Sequence, residues 1–245
     1  MTAGAVFCKG IAMVQALFLA HLLGDYVLQT DGLARWKSRS VRGLLVHGIV
    51  VTFSMWVCSL PFTPSWWPYV LGLGAVHTLI DFVRVKIGPV GPKTTLLLLL
   101  ADQVAHALTV AVGLAWSGWL SPRVAETAFG VWLQTNHRLT FIAGYVLLTT
   151  PARVLVSFLM RALGAESTSL SDRPRERTVC MIERGLIATL VLMGQFLPIP
   201  LVVAPRLVLN RRNSRAEVEQ IGYVGELLIG FGLAVAVGLF LKRLD

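Results

Sequence analysis

Residues 9–30 read KGIAMVQALFLAHLLGDYVLQT, an apolar run whose second half carries three polar side chains at four-residue intervals. They are His21, Asp25 and Gln29. Because a helix completes a turn every ~3.6 residues, this spacing predicts that all three lie on one helix face. The run is also close to the ~20 residues that a membrane-spanning helix needs. The stretch therefore predicts a membrane helix with one polar face.

The composition indicates a membrane protein. Hydrophobic residues make up 55% of the 245 residues, charged residues only 14%, and the mean hydropathy is +0.69. Soluble domains carry about 25% charged residues, so a soluble globular domain is excluded. The net charge is +9, and in a membrane protein such an excess usually belongs to cytoplasmic loops. Nucleic-acid binding is therefore not expected.

Seven apolar segments, separated by glycine, proline and charged residues, could each cross a membrane. They lie at about 9–29, 42–60, 67–86, 95–119, 139–163, 180–204 and 221–242. We therefore expect an all-α fold, a polytopic bundle of about six or seven transmembrane helices. Residues 1–120 would form a four-helix core, 121–138 an external connection, and 139–245 the C-terminal membrane helices.

Loop charges predict the orientation of these helices. The first and third loops carry Arg35, Lys37, Arg39, Arg42, Arg84, Lys86 and Lys93, whereas the second loop has no charge. The positive-inside rule then places the odd loops in the cytoplasm. The sixth loop is also basic, although it should be external. Either the sixth segment is re-entrant or broken, as its internal prolines indicate, or the early helices alone fix the topology.

Four short motifs, HLLGD, LLVHG, HTLID and DQVAH, place histidine and aspartate in the first four segments. They contribute His21, Asp25, His47, His77, Asp81, Asp102 and His106. In three of the motifs the two groups are four residues apart and share a helix face. Relative to the basic loops, all seven lie at a similar depth in the membrane. The order His–Asp followed by His occurs twice, which suggests two pseudo-repeated hairpins.

The energetics of burial favours a metal site. An ionised aspartate inside a membrane helix costs about 2.5–3.5 kcal/mol even on a lenient scale, and the spans hold few basic residues to pair with three. The set therefore predicts one or two divalent transition-metal ions, zinc above all, with iron, manganese or nickel as alternatives. Gln29 and Gln103 would orient the ligands by hydrogen bonds. Alternatively, the pairs only hold the helices together.

The second half of the chain carries fewer candidate groups. Glu183 and Arg184 lie where the sixth segment begins, and Glu226 lies inside the last one. The first two form either an interfacial charged pair, or a lid or a contact to a substrate head group. Glu226 is expected to pair with an arginine. His137 stands apart in a predicted external loop and is expected to be solvated.

The motifs HLLGDYVLQTD, LLVHG, HTLID and DQVAH resemble an uncharacterised family of bacterial inner-membrane proteins, a domain of unknown function, over roughly residues 15–110. The later ERGLI and GQF segments look like those of its longer members, which have a lysine and a serine where this chain has Pro205 and Arg206. The pattern is also distantly similar to membrane-bound metal-dependent hydrolases. These resemblances imply a multi-pass protein of the bacterial inner membrane and a metal hydrolase.

Three functions follow from these patterns. The first is a membrane-embedded hydrolase acting on an anionic lipid or phosphate-containing substrate, with Asp25, Asp81 and Asp102 as candidate catalytic residues. Basic loop residues would bind the anionic head group, or serve only as topology determinants; they are Arg35, Lys37, Arg39, Arg42, Arg84 and Lys86. The second is a metal-ion or proton transporter or channel, and the third is a non-catalytic structural protein. The substrate and oligomeric state stay open.

Overall fold

The computed structural model describes residues 3–88, 90–119, 137–164, 174–213 and 217–244, and this part of the chain is all helical. The first helices are α1 (Ala3–Leu22), α2 (Asp31–Arg39), α3 (Val41–Ser59), α4 (Trp67–Ile87) and α5 (Pro92–Trp116). The later ones are α6 (His137–Leu147), α7 (Thr150–Ala162), α8 (Pro174–Leu192), α9 (Ile199–Asn213) and α10 (Glu217–Lys242). A π-helical turn, Leu23–Val27, extends α1, and a 3₁₀ turn, Pro64–Trp66, precedes α4.

Four helices in the described part of the chain are long and apolar enough to cross a membrane, which indicates a membrane protein. These spans are Gly10–Val27, Val41–Ser59, Pro92–Trp116 and Gly222–Lys242. The bent pair α6 and α7, with an angle of 44° between them, counts as a fifth span if taken as one. The six or seven spans expected from the sequence are therefore not confirmed.

Two of the expected segments explain the difference. Residues 67–86 do form α4, but His77, Asp81 and Arg84 lower the hydropathy of its second half. Residues 180–204 do not form one helix, because α8 ends at Leu192 and α9 begins only at Ile199. Gly194, with a φ of 71°, lies in the turn between them. The predicted break in the sixth segment is thus the turn between α8 and α9.

The chain divides into two compact units. One comprises Met1–Val90 and Leu97–Ala143, and the other comprises Gly91–Leu96 and Gly144–Asp245. The predicted external connection, 121–138, lies outside the described residues except for the start of α6. In the second unit, α8 packs against α10, and α7 and α9 contact this pair.

In the first unit, α3 contacts α1, α2 and α4. A buried apolar cluster joins the helices; it includes Met13, Leu17, Val51, Met55, Val70, Leu73, Val110 and Leu114. The contact between α3 and α4 is reciprocal, because Thr78 packs over Gly48 and Thr52 packs over Gly74. Both threonine hydroxyls donate to a carbonyl of their own helix, at 2.7 and 2.8 Å. A β-carbon on either glycine would collide with the opposing threonine, so these glycines set the spacing of α3 and α4.

Candidate metal centre

The structure brings together all seven histidines and aspartates of the four motifs. His21 lies at the end of α1, Asp25 in the π-helical turn, and His47 near the start of α3. Asp81 and His77 come from the second half of α4, and Asp102 and His106 from α5. The four imidazoles and Asp81 are buried, and Asp25 and Asp102 are half-buried. Four separate helices therefore meet in one polar cluster.

Two imidazoles and two carboxylates form the middle of this cluster. Oδ1 of Asp25 lies 3.3 Å from Nε2 of both His47 and His77. Oδ2 of Asp81 likewise lies 3.2 Å from Nε2 of His47 and 3.3 Å from that of His77. The two Nε2 atoms are 3.4 Å apart. The reciprocal glycine–threonine packing next to His47 and His77 holds these two rings side by side.

His21 and His106 lie next to each other beside these four groups, with 5.0 Å between their ring centroids. Nε2 of His21 is 3.6 Å from Oδ2 of Asp25. Nε2 of His106 is 3.8 Å from Oδ1 of Asp81 and 3.6 Å from Oδ1 of Asp102. The ring of His106 also stacks on that of His77, with 4.2 Å between centroids. All four imidazoles therefore direct Nε2 toward a carboxylate.

The donor atoms are spaced as a metal ion requires. Zinc bonds of about 2.0–2.1 Å in a tetrahedron place neighbouring ligand atoms about 3.3–3.4 Å apart, close to the separations among His47, His77 and either central carboxylate. Three sets of ligand atoms lie within 4.8 Å of one another: His21, Asp25 and His77; His47, His77 and Asp81; Asp81, Asp102 and His106. These buried groups could hold a metal ion, and their chemistry suits a transition metal.

Several of these close approaches are not hydrogen bonds. Oδ1 of Asp25, Oδ1 of Asp102 and Nε2 of His106 are buried and have no hydrogen-bond partner in the structure. A buried polar atom without a partner costs about 1–3 kcal/mol. A cation bound next to one of these atoms would remove its cost, because the atom could offer the cation a lone pair.

Gln29 does not join the cluster. The amide of Leu28 donates to the carbonyl of Leu23 at 2.8 Å, which closes the π-helical turn and ends the helix. Gln29 follows in the linker to α2, so the prediction that it shares a helix face with His21 and Asp25 is wrong. Gln103 does lie at the cluster, where its Nε2 donates to Oδ2 of Asp102 at 3.2 Å.

The structure adds Lys37 to the cluster. Its Nζ lies 2.7 Å from Oδ2 of Asp81, and its side chain is only 15% exposed. Helix α2 places it there: Thr30 caps its first turn, accepting from the amide of Leu33, and Ser40 links it directly to α3. The sequence grouped Lys37 with the head-group residues. Lys37 is far in sequence from every aspartate of the motifs, so the sequence did not indicate this ion pair.

The other basic loop residues stay outside the cluster. Arg35, Arg39, Arg42 and Lys86 are exposed and Arg84 is half-exposed, so their expected role in head-group binding stays a prediction. His137 is exposed at the start of α6, as expected for a solvated side chain.

A second charged cluster lies in the second unit. Nη1 of Arg206 donates to Oε2 of Glu183 at 2.8 Å, and Arg184 donates to the carbonyl of Thr149 at 3.3 Å. Glu183 and Arg184 are buried. Together with Cys180 and Glu226 they line a small, partly open pocket. The sequence did not indicate that Glu183 pairs with Arg206 on α9, because the adjacent Arg184 was the expected partner.

Helices that are long enough to span a membrane and a buried histidine–aspartate cluster define the class: a helical membrane protein with a candidate metal centre. Residues 13–134 match the model of a family described as "Protein of unknown function (DUF3307)", which supports an uncharacterised domain family for this part of the chain. No curated protein and no solved structure matches the chain. The matched region contains the whole cluster. Similarity to metal-dependent hydrolases stays a prediction.

Proposed function

We propose that the protein is a membrane-embedded, metal-dependent hydrolase. The observation that carries the proposal is the convergence of four Nε2 atoms and three carboxylates, from four helices, within a few ångströms. Structural ion pairs need two or three groups, and they do not require imidazoles on every helix. A cluster of this size is typical of metal centres, and zinc is the ion that it suits best, with iron, manganese and nickel as alternatives.

A divalent ion at this centre would act as a Lewis acid and lower the pKa of a bound water to about 7. Asp102 is suited to take the proton of that water, because it is half-buried at the edge of the cluster and Gln103 orients its other oxygen. The substrate class that we propose is an anionic lipid or another phosphate-containing molecule of the inner membrane of a bacterium. Exposed arginines on α2 and at the start of α3 support this choice.

The packing of the first unit favours an enzyme over a transporter. A transport pathway needs polar groups leading across the membrane. In the described residues of this unit, the same helices also carry a buried apolar cluster, on the side of the histidines and aspartates that faces away from the basic loops. It includes Met13, Met55, Val70 and Leu114. Among the described residues, the polar side chains buried beside this core, such as Gln15, Ser54 and Thr140, are uncharged, so they offer an ion no charged pathway to the far side.

Elemental analysis of the detergent-purified protein tests the metal centre. We expect stoichiometric zinc or another transition metal in the wild type, loss of that metal in His77→Ala/Asp81→Ala, and no loss in the matched control His137→Ala. Vesicles containing an anionic phospholipid then test hydrolysis, which a chelator should abolish. A folded double variant with full metal content would refute the site. Metal-dependent ion flux without hydrolysis, lost in Asp102→Asn, would identify a transporter instead.

A further inference from the structure

The centre contains two alternative ligand triangles that share one edge. Nε2 of His47 and Nε2 of His77 form the shared edge at 3.4 Å. Oδ1 of Asp25 completes one triangle at 3.3 Å from both nitrogens. Oδ2 of Asp81 completes the other at 3.2 and 3.3 Å. Because each Nε2 has a single lone pair, only one ion can bind both histidines.

The two carboxylate oxygens differ in their surroundings. Both are buried and accept no hydrogen bond, but Oδ2 of Asp81 lies 2.7 Å from the ammonium of Lys37. A cation next to Asp81 would be repelled by Lys37, since two like charges at such distances interact unfavourably even in a polar medium. The triangle that Asp25 completes is therefore the more favourable position for a metal ion.

The charges of the cluster favour a single ion. The carboxylates of Asp25, Asp81 and Asp102 and the ammonium of Lys37 together leave two negative charges. One divalent ion neutralises them, with the four imidazoles neutral. A second ion would leave an excess positive charge in a mostly buried site, which is costly.

We infer that the centre holds a single divalent ion, bound by Asp25, His47 and His77, and that Lys37 takes the place of a second ion at Asp81. The group formed by Asp81, Asp102 and His106 then stays free of metal. This inference rests on the proposed metal centre and specifies its occupancy. It also selects the chemistry: one metal-activated water, rather than two ions that clamp the attacking and leaving oxygens.

Metal stoichiometry at saturating zinc tests the inference without an activity assay. We expect one ion per chain in the wild type, in the charge-conserving variant Lys37→Arg and in the control Lys242→Met, whose lysine lies over the ring of Phe196 in the second unit. Lys37→Met should bind a second ion, because Asp81, Asp102 and His106 become available to it. Lys37→Gln serves as an independent neutral variant.

Ligand variants separate the two positions. Asp25→Asn should lose the ion, and Asp102→Asn should keep one ion per chain. Asp102→Asn should also remove the second ion from Lys37→Met. Two ions in the wild type, one ion in both neutral Lys37 variants, or metal loss in Asp102→Asn would overturn the inference while leaving a metal centre in place. Absence of metal from every protein would instead refute the proposed function.

Discussion

At the scale of single residues, small side chains next to the histidines decide whether the centre can form. Gly48 follows His47, and Thr78 follows His77, and these neighbours face each other across α3 and α4. The distance between the two helices, and hence the 3.4 Å between the histidine nitrogens, depends on the missing β-carbon at Gly48.

We therefore predict that Gly48→Ala destabilises the protein by about 1–3 kcal/mol, the usual cost of overpacking, and weakens metal binding. The control Gly72→Ala, on α4 with open space around it, should leave both unchanged or raise stability slightly. Thermal unfolding and zinc titration in detergent measure the two effects. Adding Thr78→Ala should restore both, because Thr78 is the side chain that the new methyl group meets. Unfolding of Gly48→Ala at the wild-type temperature would contradict this account.

Much of the centre could be predicted at this scale, and the reason is periodic spacing. Pairs such as His77 and Asp81 lie on one helical turn, so their proximity follows from sequence distance alone. Lys37 could not be found in this way, because its ion pair with Asp81 depends on the direction of α2 relative to α4. The prediction for Gln29 failed because the four-residue spacing places side chains on one face only in a continuous α-helix. The π-helical turn at Leu23–Val27 ends that helix.

At the scale of helices, the boundaries depend on contacts that sequence patterns do not specify. The apolar stretch 180–204 looks continuous, yet α8 ends at Leu192 and α9 starts at Ile199. Glu183 on α8 and Arg206 on α9 form an ion pair on either side of this turn. From the sequence, Arg206 is predicted to be a charged residue of the sixth loop. In the structure it lies over the ring of Tyr223, whose hydroxyl donates to the carbonyl of Arg206 at 2.9 Å.

We predict that Glu183→Ala lowers stability by about 3–5 kcal/mol, as expected when one partner of a buried ion pair is removed. The side chain of Glu183 is 5% exposed and that of Arg206 is 16% exposed, so water cannot fully replace the lost carboxylate. The double variant Glu183→Leu/Arg206→Leu should be closer to the wild type than either single variant. A double-mutant cycle of thermal unfolding in detergent measures the coupling. Strict additivity of the two changes would show that the pair does not link α8 to α9.

At the scale of the whole molecule, hydropathy predicts the class of protein better than the number of spans. The apolar composition predicts membrane helices, and four helices of the described chain satisfy the length and hydropathy needed. The candidate ligands reduce the count, because His77 and Asp81 lower the hydropathy of α4 below that of its neighbours. A helix that carries polar groups for a buried cluster is thus the one that hydropathy identifies least well.

The orientation of the first unit provides the last prediction. The link between α1 and α3 contains the basic helix α2, whereas the link between α3 and α4 is uncharged and ends at Trp66, next to Trp67 at the start of α4. The positive-inside rule predicts that α2 lies in the cytoplasm, and with it the face of the candidate metal centre where Lys37 lies. In a chain without native cysteines, Ser65→Cys should react with a membrane-impermeant thiol reagent in intact cells. Ser38→Cys, equally exposed on α2, should react only after permeabilisation. The reverse labelling pattern would place α2 and Lys37 outside the cell. A substrate would then have to reach the candidate centre from that side.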